Sequence, residues 1–190
     1  WSPLDVRREV GEPKHIDGPP TSQPIDVTTS TIPPDVRRSL AQGRCRAPFD
    51  VLGMHPAPDG GWVVRVFIPW ARSVQLVRKG PRAPLERTAE GLFERTFTSA
   101  QKAFRYRLLV EDPDGREWEM EDPYRFGPTL DEERVHAFLA GRERRIHEVL
   151  GAVVMRHEGV EGTRFAVWAP HADAVNLMGD MNHWDARCHP

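Results

Sequence analysis

The pattern of hydrophobic and polar positions divides the chain into segments of different character. Prolines and scattered Ser and Thr residues interrupt every possible hydrophobic period at the start, so residues 1–43 are predicted to form a disordered, Pro-rich tail or linker. Within this segment, the run Asp35 to Leu40 fits a single helical turn. From Phe49 onward, short runs rich in Val, Phe and Tyr alternate with clusters of Gly, Pro and Asp, which is typical of strands joined by turns.

The region 44–127 contains five predicted strands. They are Trp62 to Ile68, Ser73 to Arg78, Gly91 to Thr98, Ala103 to Glu111 and Glu117 to Met120. Apolar and polar residues alternate along the fourth strand, as at Phe104, Arg105 and Tyr106, so one face of that strand is expected to be buried. Regular strand and turn spacing of this kind predicts an all-β fold built on an antiparallel β-sandwich.

Residues 128–150 have a helical pattern and are predicted to connect two strand-rich units. Thr129 followed by Glu132 has the spacing of a capping box, which predicts the start of a helix. Gly141 interrupts the pattern, and Gly151 is expected to end a second, shorter helix.

A repeat of strand, proline corner and strand links the two strand-rich units. The segments Val64 to Pro69 and Val74 to Val77 align without a gap on Phe165 to Pro170 and Val175 to Met178, and a Leu-Gly pair precedes each copy. Any two β-hairpins with apolar alternation look alike, but the matching proline argues against coincidence. Residues 151–190 are therefore predicted to be the incomplete start of a second, similar sandwich, in which Trp168 is expected to be a core residue.

Composition narrows the possible partners and the compartment. The formal net charge of -2 gives no reason to expect nucleic acid or an anionic membrane as a partner. No stretch of about 18 apolar residues and no signal peptide are evident, so a cytoplasmic location is expected. Cys45 and Cys188 are widely separated and are expected to be free thiols, without a disulfide, a zinc site or a cofactor. The chain starts at Trp1 and stops at Pro190, which indicates a piece of a longer protein.

Two motifs carry a resemblance to a known family. The segment Arg164 to Ala172, followed by Gly179 to Asp185, resembles a family-48 carbohydrate-binding module, which is an immunoglobulin-like sandwich. The segments Glu121 to Gly127 and Leu130 to Gly151 resemble the junction between the tandem N-terminal sandwiches of bacterial glycogen branching enzymes. The resemblance covers about residues 48 to 190.

The resemblance implies an accessory role rather than catalysis. In such enzymes a (β/α)₈ barrel cleaves an α-1,4 glucan linkage and transfers the released segment to a 6-hydroxyl with two carboxylates. A barrel needs roughly 250 residues, so this chain alone is predicted to be inactive. The implied partners are α-glucan, as glycogen or maltooligosaccharide, and the catalytic barrel of the parent chain. Two alternatives stay open: a glucan-binding module of a debranching or trehalose-forming relative, and a non-enzymatic tandem-sandwich scaffold.

The candidate carbohydrate-binding residues are Trp184, Asn182 and Asp180. An indole ring can stack on the apolar face of a pyranose while amide and carboxylate groups accept or donate hydrogen bonds to sugar hydroxyls. The alternative is that Trp184 packs on its own module or on the barrel, and that Asn182 and Asp180 hold the turn. No catalytic or metal-ligating residues are predicted, since Glu117, Glu119 and Glu121 have the spacing of one solvated strand face.

Overall fold

The computed structural model describes residues 30–190, and the part of the predicted tail before residue 30 lies outside this range. The strands are β1 (Gly53–Pro56), β2 (Trp62–Phe67), β3 (Ser73–Val77), β4 (Ala83–Pro84), β5 (Glu86–Ala89), β6 (Leu92–Phe97), β7 (Arg107–Glu111), β8 (Glu117–Met120), β9 (Gly151–His157) and β10 (Val160–Ala166). The helices are α1 (Pro34–Ala41), α2 (Glu132–Leu139) and α3 (Ile146–Val149).

Two four-stranded antiparallel sheets form the first unit. Their strand orders are β1-β2-β6-β5 and β4-β3-β7-β8. The side chains buried between them include Val64, Val66, Ile68, Val74, Leu76, Phe93, Leu108 and Val110. The predicted antiparallel β-sandwich is therefore confirmed, because strands with period-2 apolar alternation bury one face each against the opposite sheet.

Helix α1 covers the outer face of the first sheet, where the sequence predicted a tail through residue 43. Leu40 is 0% exposed and packs in a second apolar cluster with Leu52, Phe67 and Leu92. Strand β2 thus buries side chains on both faces, and the second face needs a cover. Pro34 stands at the first helical turn, where a missing N–H is harmless, so this proline begins a helix rather than preventing one. The predicted tail boundary was wrong for this reason.

A buried polar network holds the chain just before α1. The Glu94 carboxylate accepts hydrogen bonds from the Thr31 backbone N–H at 3.0 Å and the Thr88 hydroxyl at 2.6 Å, and also from the hydroxyls of Ser30 and Thr31. Burial alone would raise the pKa of Glu94, but these hydrogen bonds outweigh it and hold the pKa below its ordinary value. The Arg65 guanidinium lies 3.6 Å from the same carboxylate, so the buried charge is paired as well as hydrogen-bonded.

The connector contains two helices, as predicted, but its first cap is different. The Asp131 side chain accepts a hydrogen bond from the Arg134 N–H at 2.7 Å, so Asp131 caps α2 in place of Thr129. Gly141 follows the helix with a φ of +67°, in the left-handed region. Gly151 does not end α3 but begins β9.

The second unit starts with a hairpin in the same register as the first. Gly53 pairs with Arg65 across β1 and β2, and Gly151 pairs with Ala166 across β9 and β10. Arg65 and Ala166 are equivalent positions in the gap-free alignment of the two copies, and both glycines have left-handed φ angles, +89° and +90°. The shared register supports the repeat predicted from the sequence, because a one-residue slip would exchange the two faces of a strand.

Beyond this hairpin the second unit departs from the prediction. Residues 167–179 form no strand, and the segment Val175 to Met178 has no strand partner among the described residues. Trp168 is 55% exposed and contacts the Phe138 ring edge-to-face at 5.5 Å, so its predicted core position was wrong. A strand forms only where a neighbour accepts its backbone hydrogen bonds, and the described part of this unit contains only the β9–β10 sheet.

Candidate functional site

The predicted sugar-binding residues lie on one short loop at the end of the chain. Asp180–Asn182 forms a single 3₁₀ turn, preceded by Gly179. The Asn182 side chain is 1% exposed; its Oδ1 accepts from the Gly179 N–H at 3.0 Å and its Nδ2 donates to the Leu177 carbonyl at 2.7 Å. Because both ends of this amide serve the loop backbone, Asn182 holds the loop, in keeping with the alternative to sugar binding given for this residue.

Trp184 and Asp180 face solvent together. The Trp184 side chain is 63% exposed, and its indole Nε1–H donates to Asp180 Oδ1 at 2.9 Å. This bond fixes the orientation of the ring, so an indole face is available for stacking. The second carboxylate oxygen of Asp180 can accept a hydrogen bond from a sugar hydroxyl, which an ionised carboxylate can do with either oxygen.

The loop backbone is unusual at two consecutive residues. His183 has a φ of +54° and Trp184 a φ of +59°, both in the left-handed region that non-glycine residues rarely adopt. A residue stays in such a conformation only when its surroundings determine it. The imidazole of His183 supplies one such constraint through contacts with the first sandwich.

His183 lies against two tryptophans of the first unit. The ring centroid of His183 is 4.2 Å from that of Trp70 and 5.7 Å from that of Trp118, and the two indoles are stacked at 5.3 Å. We call Trp70, Trp118 and His183 the aromatic cluster. Residues far apart in sequence form it, so no local pattern could have predicted it.

Further contacts hold residues 176–190 on the first unit. The Asn176 Nδ2 donates to the Gly43 carbonyl at 2.8 Å, and the Tyr124 hydroxyl donates to the Cys188 carbonyl at 3.2 Å. The Arg187 guanidinium lies 3.7 Å from the Glu90 carboxylate. The loop is therefore anchored on the first sandwich at several points along its length.

The interface beneath the loop is apolar and contains one buried carboxyl group. Asp122 accepts hydrogen bonds from the Tyr106 hydroxyl at 2.5 Å and the Tyr124 N–H at 2.9 Å. Burial raises the pKa of Asp122 to about 6 despite these bonds. Burial also lowers the pKa of His189 and raises the pKa of the Cys188 thiol to about 12, although the Trp70 indole N–H opposes the latter shift. Asp122 and Cys188 are 1% and 5% exposed, so this contact excludes water and favours the neutral forms of its titratable groups.

The acidic residues of strand β8 lie at the surface. Glu117 and Glu119 are exposed on β8, and Arg107 lies 2.8 Å from Glu119, in keeping with the predicted solvated face. Within residues 30–190, no group of three or more His, Cys, Asp or Glu residues is placed to hold a metal ion. No helix in this same range has the length and apolar character needed to cross a membrane.

Comparison with known proteins matches each unit separately. Residues 33–124 match the family described as "alpha-1,4-glucan branching enzyme GlgB, N-terminal domain", and residues 149–190 match "Carbohydrate-binding module 48 (Isoamylase N-terminal domain)". The chain is 45% identical over 156 residues to the 1,4-alpha-glucan branching enzyme GlgB of Pseudomonas aeruginosa, which covers 80% of this chain and 21% of that protein. It is 42% identical over 157 residues to the enzyme of the same name from Thermobifida fusca, again covering 80% of this chain and 21% of the relative. The chain thus spans about a fifth of the length of the curated relatives that it matches.

Proposed function

Residues 33–190 resemble the non-catalytic N-terminal region of GlgB branching enzymes, and we propose that this chain serves as that accessory region. In the parent protein a separate catalytic barrel cleaves α-1,4 linkages of a glucan and transfers the released segments to 6-hydroxyls, as in glycogen synthesis. The accessory region supports the barrel and holds α-glucan chains, such as glycogen or maltooligosaccharide, near it. The compartment is the cytoplasm, where buried thiols such as Cys45 and Cys188 stay reduced.

One observation carries the glucan-binding part of this proposal. Trp184 is largely exposed, yet its ring is fixed by a hydrogen bond to Asp180. A large apolar ring on the surface that is already ordered loses little conformational entropy when a ligand binds, which favours association. A pyranose has an apolar C–H face on which the Trp184 ring can stack, and hydroxyl groups that can donate hydrogen bonds to Asp180.

The proposal is tested by electrophoresis of the native chain through gels with and without glycogen. Retardation by glycogen measures binding directly. Trp184→Ala should weaken binding about 10-fold or more, because a central aromatic anchor of a binding site contributes about 2 kcal/mol. Trp168→Ala is the matched control, since it removes another exposed tryptophan, one that contacts Phe138 and lies outside the loop.

The two variants distinguish a specific glucan-binding site from nonspecific binding to the glycogen in the gel. Retardation of the wild type and of Trp168→Ala, with little retardation of Trp184→Ala, supports the proposal. Equal retardation of all three proteins places glucan binding elsewhere on the chain, and no retardation of the wild type removes glucan binding from the proposed role.

A further inference from the structure

The Trp184 loop is held by its own hydrogen bonds and also contacts residues outside it. Its own hydrogen bonds, through Asn182 and Asp180, close the 3₁₀ turn and orient the indole. Backbone hydrogen bonds from the Trp184 N–H to the Gly179 carbonyl at 3.0 Å and from the Asp185 N–H to the Asn182 carbonyl at 3.0 Å close the chain around the left-handed residues His183 and Trp184. This backbone is unfavourable for side chains with a Cβ, so a contact outside the loop that favours it stabilises the loop further.

The aromatic cluster supplies that contact. His183 immediately precedes Trp184, and its ring lies nearly parallel to that of Trp118, with an interplanar angle of 17°. The Trp70 ring is closer, at 4.2 Å between centroids. Offset stacking of aromatic rings is favourable beyond the area it buries, so the two indoles stabilise the position of His183 and with it the backbone that presents Trp184.

The two tryptophans occupy fixed places on the first sandwich. Trp118 lies on strand β8 opposite Val110 of β7. Trp70 follows strand β2 and packs against the apolar core of the sandwich. Both are half-buried, whereas Trp184 is exposed. A rigid surface of the first unit therefore contacts the loop of the second.

We propose that Trp70 and Trp118 are positioning residues for Trp184: by stacking on His183 they hold the loop in its binding conformation without contacting the glucan. This inference rests on the proposed function, since the loop is taken to bind glucan. It makes glucan affinity a joint property of both units. An isolated second unit would contain Trp184 but would lack the surface that orders it.

The test compares Trp118→Ala, Trp118→Phe and His183→Ala with the wild type by two independent measurements. The first is the Trp184 indole N–H resonance in a ¹H–¹⁵N correlation spectrum without sugar, which reports the bond to Asp180. The second is the dissociation constant for maltoheptaose. Both alanine variants should move the indole resonance and weaken binding roughly 3- to 10-fold, the range expected for one lost aromatic contact. Trp118→Phe should restore both measurements toward the wild type.

Separate controls distinguish positioning from loss of the fold. The amide resonances of β3 and β7 report whether the sandwich is intact, and His183→Ala leaves the first sandwich unaltered if Trp118→Ala does not fold. Trp168→Ala should change neither measurement.

The two measurements also separate this inference from the proposed function. If the wild type does not bind maltoheptaose but the alanine variants still move the indole resonance, positioning stands and glucan binding fails. If the indole resonance of Trp184 is unchanged in both alanine variants, the positioning role is refuted whatever the affinity.

Discussion

Replacing Leu40 by alanine tests whether the segment before residue 44 is part of the first folded unit. Leu40 is 0% exposed and packs with Leu52, Phe67 and Leu92. Truncation of a fully buried leucine costs about 2 to 5 kcal/mol, and the value depends on how far the surroundings collapse into the space. Because α1 lies on the outside of a sheet and can shift, we expect a loss near the middle, about 3 kcal/mol.

Urea unfolding monitored by tryptophan fluorescence measures this loss. With a slope of about 1.5 kcal/mol per M for a domain of this size, the midpoint should fall by about 2 M. Leu139→Ala is the matched control, because Leu139 is 55% exposed on α2 and its truncation should change the free energy of unfolding by less than about 0.5 kcal/mol. An effect of Leu40→Ala as small as that of the control would mean that α1 does not pack on the sandwich and that the tail does extend through residue 43.

Two further predictions concern the buried carboxyl group and a crowded glycine. Burial raises the pKa of Asp122 from 3.8 to about 6, so the folded state holds this proton more tightly than the unfolded chain does. The resulting contribution to stability is fully present below pH 3.8 and is lost as the pH rises through 6. The difference in free energy of unfolding between the wild type and Asp122→Asn should therefore change by about 2 kcal/mol between pH 4 and 7, and parallel pH profiles in thermal unfolding would contradict this. Gly53→Ala should destabilise the first sandwich more than Gly151→Ala does the second unit. Both glycines have left-handed φ angles, but a Cβ at Gly53 would lie 2.3 Å from the Tyr124 carbonyl oxygen, while none of the described atoms lies within 4 Å of one at Gly151. If the two variants lose amide protection from hydrogen exchange equally in β1 and β9, the close approach between Gly53 and the Tyr124 carbonyl is not rigid.

The strands that the sequence predicted well are those whose faces differ most. Strand β3 has Val74 and Leu76 buried, whereas Ser73 and Gln75 lie on its other face, so its period of 2 is plain. Strand β8 begins and ends at the predicted residues. Strands β1, β4 and β5 were not predicted, because they are short and carry mixed side chains whose pairing partners decide their structure. Helix α1 was underestimated, because the surface that it covers is built from residues later in the chain.

The candidate site was predictable only in part. The exposed pair Trp184 and Asp180 could be identified from a local motif, because both residues lie on one short turn. That Asn182 holds the turn was one of the two alternatives that the motif left open, but its full burial could not be predicted, because it depends on His189 as well as on the loop backbone. The aromatic cluster could not be predicted, because it forms only where His183 of the second unit contacts Trp70 and Trp118 of the first.

The most direct test of a glucan-binding accessory region is a titration of the ¹⁵N-labelled chain with maltoheptaose. The chain has six tryptophans, so six indole N–H resonances report on six places, and Trp184→Phe assigns the one at the proposed site. The account predicts that the Trp184 indole resonance shifts to a saturating limit as sugar is added, while the indole resonances of Trp62 and Trp168 do not shift. Saturable shifts at other indoles with Trp184 unmoved, or no shift at any indole at millimolar sugar, would contradict it.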